Sequence, residues 1–233
     1  MATSARAEIF ARIRHACKST PAATIAGELR SLGVAPAAPL PGSSLQASFL
    51  TNILKNQGTV ACAPDRGAAV KAISEYLYEH YRSHRLVASN DPRLAAMPWR
   101  DAGVLPRFGE VEPGEQVAVS YAQLGIAEIG AIVTFTGKTN PAANNLLPEH
   151  HIVLVDSKDI VPDMEAAWQQ MQPTLGAPTA RPRGINWIAG PSSTADIEGT
   201  LVYGAHGPRG WHVILLGDTP AEALDEARSL AGR

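Results

Sequence analysis

The chain has 233 residues, 45% of them hydrophobic and 18% charged, with a formal net charge of −2 at pH 7. That composition supports one substantial buried core, with or without a small appended piece. A near-neutral charge without a dense block of Lys or Arg argues against nucleic acid or anionic membranes as partners. Cys17 and Cys62 are the only cysteines and lack C-x-x-C spacing, so neither a disulfide framework nor a self-contained zinc or iron–sulfur site is expected. Any redox chemistry must then place its electrons on a partner or a bound cofactor.

Taken in chain order, residues 1–18 interleave Arg6, Glu8, Arg12 and Arg14 with apolar residues and lack the apolar core of a signal peptide. No run reaches membrane-spanning length, so a cytoplasmic protein without membrane insertion is expected. Residues 5–18 put Ile9, Phe10, Ile13 and Cys17 on one helical face, suited to docking on a core or to serving a partner. The proline-rich stretch 35–42 cannot continue a helix. It divides the chain into an N-terminal helical arm with its connector, 1–42, and an α/β domain, 43–233.

In that domain, 44–57 reads as a helix, 59–63 as a short buried strand, and 67–81 as a helix with Val70, Ile73, Leu77 and Tyr81 on one face. Residues 85–89 read as a second strand, and 90–113, broken by Pro92, Pro98, Pro106 and Pro113, as irregular connection. Strands follow at 117–121, 131–136 and 151–155, with 125–130 (GIAEIG) as a tight passage and 163–172 as a helix. Residues 185–189, 194–203, 211–216 and 220–230 then read as strand, helix, strand, helix. Continuous apolar strands separated by helices predict an α/β fold, a largely parallel sheet flanked by helices. No internal repeat is evident.

The stretch 190–198 (GPSSTADIE) packs a glycine turn, three hydroxyls and two acids between an apolar run and a helical one. As a strand-to-helix turn at the carboxyl end of a strand it would present backbone N–H groups and the Ser192, Ser193 and Thr194 hydroxyls to an anion. A capping box, with Ser193 as N-cap and Asp196 reaching back, explains one hydroxyl but not three. Asp196 and Glu198 in the first turn disfavour a highly charged anion.

Glu128 sits among Ile126, Ala127, Ile129 and Ala131 between two glycines. Desolvation would raise its pKa and suit it to proton transfer or nucleophilic attack, while a solvated acid before a strand is the plain alternative. His150 and His151, adjacent on a strand, point to opposite faces and do not chelate one metal. His212 shares a face with Ile214 and Leu216 and reads as a hydrogen-bonded core histidine. His206 and Arg209 lie in a loop where imidazole and guanidinium could meet an anionic ligand. Residues 137–139 (GKT) end like a phosphate loop, but Ile132 breaks the G-x-x-x-x-G-K-[ST] spacing. Trp168, Trp187 and Trp211 fall in core elements and form no base-stacking platform. No metal site is expected.

With these motifs in hand, the chain resembles the LUD-domain family, specifically the LutC type of lactate utilisation proteins, also called YkgG. The resemblance rests on 125–130 before an apolar strand, 147–155 (LPEHHIVLV), 190–198, and His206-Gly207-Pro208 followed by 211–216, in the expected order over the C-terminal half. It implies a fold similar to the NagB/RpiA/CoA-transferase superfamily. It also implies a component of an L-lactate-oxidising complex that binds no cofactor itself, with iron–sulfur clusters on partner proteins and a small carboxylate or other anionic metabolite as ligand. Carried across residue by residue, the family pattern highlights Glu128, Ser192, Thr194, Asp196, Glu198 and His206. Ile129 stands where many relatives have a small hydroxyl residue, and Asn144-Asn145 where a basic residue or serine is common. The alternative is a free-standing enzyme on a sugar phosphate or acyl-CoA, with Glu128 as base or nucleophile.

Overall fold

The computed structural model describes residues 4–17, 20–33, 36, 38–176, 181–195 and 200–233. The chain forms two compact units, Met1–Ala37 and Ala38–Arg233. The first contains helices α1 (Ala5–Ala16) and α2 (Ala22–Ser31), neither with a buried residue. Ile9, Phe10 and Ile13, the face suited to docking, are exposed. Pro21, at the N-cap of α2, separates the two helices.

The second unit runs α3 (Leu45–Lys55), β1 (Thr59–Ala63), α4 (Arg66–Tyr81), β2 (Arg85–Ala88), α5 (Pro92–Ala95), β3 (Leu105–Phe108), β4 (Val117–Tyr121), β5 (Leu124–Ile126) and β6 (Ala131–Thr136). It continues with α6 (Ala142–Leu146), β7 (His150–Asp156), β8 (Ile160–Val161), α7 (Met164–Gly176), β9 (Gly184–Ile188), β10 (Ser193–Ala195), β11 (Leu201–Tyr203), β12 (Gly210–Leu216) and α8 (Ala223–Ala231). Its frame is a six-stranded, wholly parallel sheet in the order β1-β12-β7-β4-β2-β3. Alternate residues of the central strands feed two cores, as a pleated sheet covered on both faces requires. Val119, Ile152, Leu154 and Ile214 pack with Val70, Ile73 and Leu77 of α4. Val153, Val155, Val213 and Leu215 pack with Phe49, Leu50 and Ile53 of α3 and with Ala223 and Ala227 of α8. Both major helices start on side-chain caps: Ser44 accepts from Ala47 N and Asp65 from Ala68 N.

Several expectations change. The apolar strands β6 and β9 do not enter the parallel sheet; they belong to a four-stranded sheet, β8-β5-β6-β9, in which β6 is antiparallel to both β5 and β9. The passage from β5 to β6 is too short for a parallel crossover, and Gly130, at φ +59°, closes it as a hairpin. Segment 90–113 contains the missed strand β3, whose Pro106 is tolerated because β3 is the sheet edge. Residues 38–42 stay with the second unit, and Gly42 N donates to Ser48 Oγ.

Where a helix over 194–203 was predicted, the described residues form two antiparallel strands, β10 paired with β11 in the register Ser193↔Tyr203, and 196–199 lie outside the described residues. Leu201, Val202 and Tyr203 are exposed, so the helical spacing had no core to bury against, and β-branched and aromatic residues favour a strand. Gly190 therefore precedes no helix and follows a strand of the mixed sheet, so neither the dipole site nor the Ser193 capping box forms. Among the described residues no helix is long and apolar enough to cross a membrane.

Candidate functional site

Two turns singled out in the sequence converge on one helix. Asn52 of α3 and Asn56 at its C-cap, one turn apart, reach the 127–130 turn: Asn52 Nδ2 donates to Ala127 O (2.8 Å) and Glu128 O (3.0 Å), and Asn56 Nδ2 to Ile129 O (2.8 Å). Gly190, at φ +113°, lies so close that a Cβ there would sit 2.5 Å from Asn56 O. The glycines are thus demanded by close approach to α3.

The side chains at these turns have structural partners. Glu128 Oε2 accepts from Met164 N (3.3 Å) and so caps α7. Ser192 N donates to Pro208 O (2.8 Å), Ser192 O accepts from Gly204 N (2.9 Å), and Ser192 Oγ accepts from His206 N (3.3 Å). The Ser192 hydroxyl holds the 204–208 loop in place, while Ser193 and His206 are exposed and Thr194 is half-buried. Asp196 and Glu198 lie outside the described residues.

That loop delivers Arg209 to Glu149. Arg209 Nη2 pairs with Glu149 Oε1 at 2.5 Å, and the backbone N–H groups of Arg209 and Gly210 both donate to Glu149 O. Gly210 then runs so close to the His150 ring that a Cβ would meet it at 2.6 Å.

Here the structure assembles a cleft of about 380 Å³, bordered by Gln57, Tyr76, His80, Tyr81, His150 and Arg209. It lies at the amino ends of β1, β12 and β7, opposite to the carboxyl-end placement the sequence suggested. Tyr76 OH and His150 Nδ1 are 2.8 Å apart. The Tyr76 ring is sandwiched between the imidazoles of His80 and His212, with centroids 4.1 and 4.5 Å away. His80 Nδ1 donates to Tyr76 O (3.0 Å), and His212 Nδ1 pairs with Thr59 Oγ1 (2.8 Å). Tyr81 stands edge-on to His150 and donates to Glu149 Oε2 (3.4 Å). His212 Nε2 is buried without a partner.

Burial, with His80 nearby, pushes His150 down to about 4, and burial takes His212 to about 3. Burial also raises Tyr76 to about 12. The pair at the cleft floor is therefore a neutral imidazole and a neutral phenol at pH 7, beside the Arg209–Glu149 ion pair at the rim. Such a set can exchange a proton with a ligand and orient a carboxylate.

His212 is the core histidine expected. His150 and His151 do face opposite sides: His151 is fully buried, its Nε2 3.0 Å from Ser120 Oγ. From Ser120 a chain of hydrogen bonds passes to Asn145, Thr134 and Asn186, tying the two sheets together. Among the described residues no group of three or more His, Cys, Asp or Glu could hold a metal ion. Tyr76, His80, Tyr81, Glu149 and His150 were missed as site residues, and of the expected ones only Arg209 borders the cleft. The i, i+4 pairing of Tyr76 and His80 on a helix and the motif 147–155, which holds Glu149 and His150, were the available signals.

Residues 115–216, which include Glu149, His150 and Arg209, match the LUD domain. The chain is 31% identical to lactate utilization protein C of Exiguobacterium sp. over 140 residues, 57% of this chain and 61% of that protein. It is 28% identical to lactate utilization protein C of Bacillus subtilis over 196 residues, covering 74% and 80% of the two chains. With the uncharacterized protein YkgG of Escherichia coli it shares 34% identity over 113 residues, 48% of each chain. A crystal structure of a DUF162 family protein from Deinococcus radiodurans superposes with a TM-score of 0.57 at 20% identity, over 74% of this chain and 96% of that one. That likeness agrees with the α/β architecture.

Proposed function

Because the chain belongs to the LUD-domain family, of the lactate utilisation protein C and YkgG type, we propose that it serves L-lactate utilisation as a cytoplasmic subunit that carries no iron–sulfur cluster of its own. In this reading the His150 cleft holds a small 2-hydroxy carboxylate, and iron–sulfur clusters on partner proteins take the electrons. The names of the relatives support lactate as the metabolite. The observation that carries the cleft's role is the neutral His150–Tyr76 pair 2.8 Å apart, with Arg209 bordering the same space.

Oxidation of lactate to pyruvate removes two electrons and two protons. The Arg209 guanidinium, shared with Glu149, meets the substrate carboxylate. His150 accepts the hydroxyl proton, its proton affinity raised by the bound anion beside it, while Tyr76 holds the ring. The Cα hydrogen leaves as hydride to an organic two-electron acceptor, which passes the electrons on to the partner proteins and releases the proton to solvent. The free-standing enzyme with Glu128 as base or nucleophile gains no support, because the Glu128 carboxylate is engaged at the start of α7.

Two measurements test this reading. A tagged chain is recovered from lactate-grown source cells and its companions are identified by mass spectrometry, with iron and lactate-dependent dye reduction assayed in the eluate. L-lactate is also titrated calorimetrically into the wild type and Arg209→Ala. Co-purified iron–sulfur proteins and Arg209-dependent binding are expected. A chain recovered alone that binds no lactate would overturn the proposal.

A further inference from the structure

A second cavity, about 580 Å³, opens at the amino ends of β2, β3 and β4 and shares Tyr81 with the His150 cleft. We propose that it binds a planar heteroaromatic ring carrying an anionic tail, the chemistry of flavin mononucleotide.

The floor is apolar and comes from adjacent strands. Leu86 and Val117 are buried beneath it, and Leu105 and Pro106, in register with Arg85 and Leu86, continue it toward the edge. Three neighbouring parallel strands present a slab about 10 Å across, which suits a fused ring better than a compact metabolite. Tyr81 adds an aromatic wall. Charge at the rim is one-sided. Arg107 is saturated by Glu115, which takes both its Nε and Nη2, and by Glu112. Arg85 has no side-chain partner among the described residues, which leaves one cation for a phosphate.

The role follows from the proposed function, on which it rests. Lactate surrenders two electrons together, whereas an iron–sulfur cluster accepts them singly. A flavin-type ring takes the Cα hydride as the substrate hydroxyl proton passes to His150. It then returns both electrons one at a time, with release of the proton it received, to the partner clusters. The oxidised ring and pyruvate are left. Tyr81, common to both cavities, places the two ligands side by side.

The experiment titrates flavin mononucleotide and riboflavin into the full chain and follows quenching of flavin fluorescence. Saturable quenching by both is expected. Arg85→Ala should weaken flavin mononucleotide by about tenfold and leave riboflavin, which lacks the phosphate, unchanged. Leu105→Trp, at the exposed mouth, should weaken both without lowering Tm. No saturable quenching at millimolar flavin, or quenching indifferent to both substitutions, overturns the proposal, as does preferential capture of decanoate at the same cavity. Lactate titration of the same samples separates the two readings. Flavin binding without lactate binding removes the cleft assignment and keeps this site; lactate binding without flavin binding does the reverse.

Discussion

Tyr76 OH and His150 Nδ1, 2.8 Å apart, join α4 to the first residue of β7 across the floor of the cleft. The bond fixes the imidazole that borders the ligand space, and its removal has a separable signature. Tyr76→Phe keeps the stacking on His80 and His212 and deletes one buried hydrogen bond. A stability loss of about 1 kcal/mol is expected, with weaker lactate binding, measured by urea unfolding and calorimetry on one preparation. Full lactate affinity in the folded variant would remove the hydroxyl from the site.

Acid should destabilise the fold through its buried histidines. His150 is depressed to about 4, and His151 and His212 to about 3, each chiefly by burial. Against an unfolded value near 6.5, the unfolded chain binds more protons below that pH. Their stabilisation is therefore complete above about pH 6.5 and declines as pH falls toward 4 and then 3. Urea midpoints at pH 7 and pH 5 should differ, and His212→Gln should flatten the difference. Equal slopes in wild type and variant would contradict the burial argument.

The glycines that meet α3 should tolerate no side chain. A Cβ at Gly130 would lie 2.4 Å from the Asn52 backbone at φ +59°, so Gly130→Ala should cost about 2 kcal/mol or more. Gly137, where a Cβ meets nothing within 4 Å, serves as the control. Thermal unfolding of the two variants side by side decides the point, and similar Tm values would refute the close contact.

Glu128 should behave as a helix cap. Glu128→Gln retains an acceptor for Met164 N and should leave stability nearly intact, whereas Glu128→Ala should lose about 1 kcal/mol. Neither should change lactate affinity. Abolished ligand binding in the folded Gln variant would return Glu128 to the chemistry.

Glu149 should modulate the rim charge. Glu149→Gln removes the countercharge from Arg209 and should tighten L-lactate, while Arg209→Ala should weaken it by about tenfold. The difference should shrink in high salt, since Arg209 is more than half exposed. A salt-independent effect of either substitution would overturn the charge argument.

Much of the frame was legible because hydrophobic periodicity records burial directly. The segments that became β1, β4 and β6, and the apolar face of α4, were read within a residue of their ends. Sheet membership was not legible. An apolar run is equally compatible with a parallel or an antiparallel neighbour, and β6 and β9 found theirs in the mixed sheet. Residues 194–203 misled because Ile197, Leu201 and Val202 recur at helical spacing in the sequence, yet Leu201 and Val202 have no core to face.

The candidate site shows the same division. By itself the sequence determined which segments are apolar, which turns require glycine, and the family motifs, because each is a property of neighbouring residues. Only the tertiary structure decided that Glu128 and Ser192 spend their polar atoms on α7 and the 206 loop. It alone brought Tyr76 to His150, 74 residues away, and Arg209 to Glu149, which meet where β12 begins beside β7. Contacts at that distance are set by strand order and crossover, and local spacing carries no record of either.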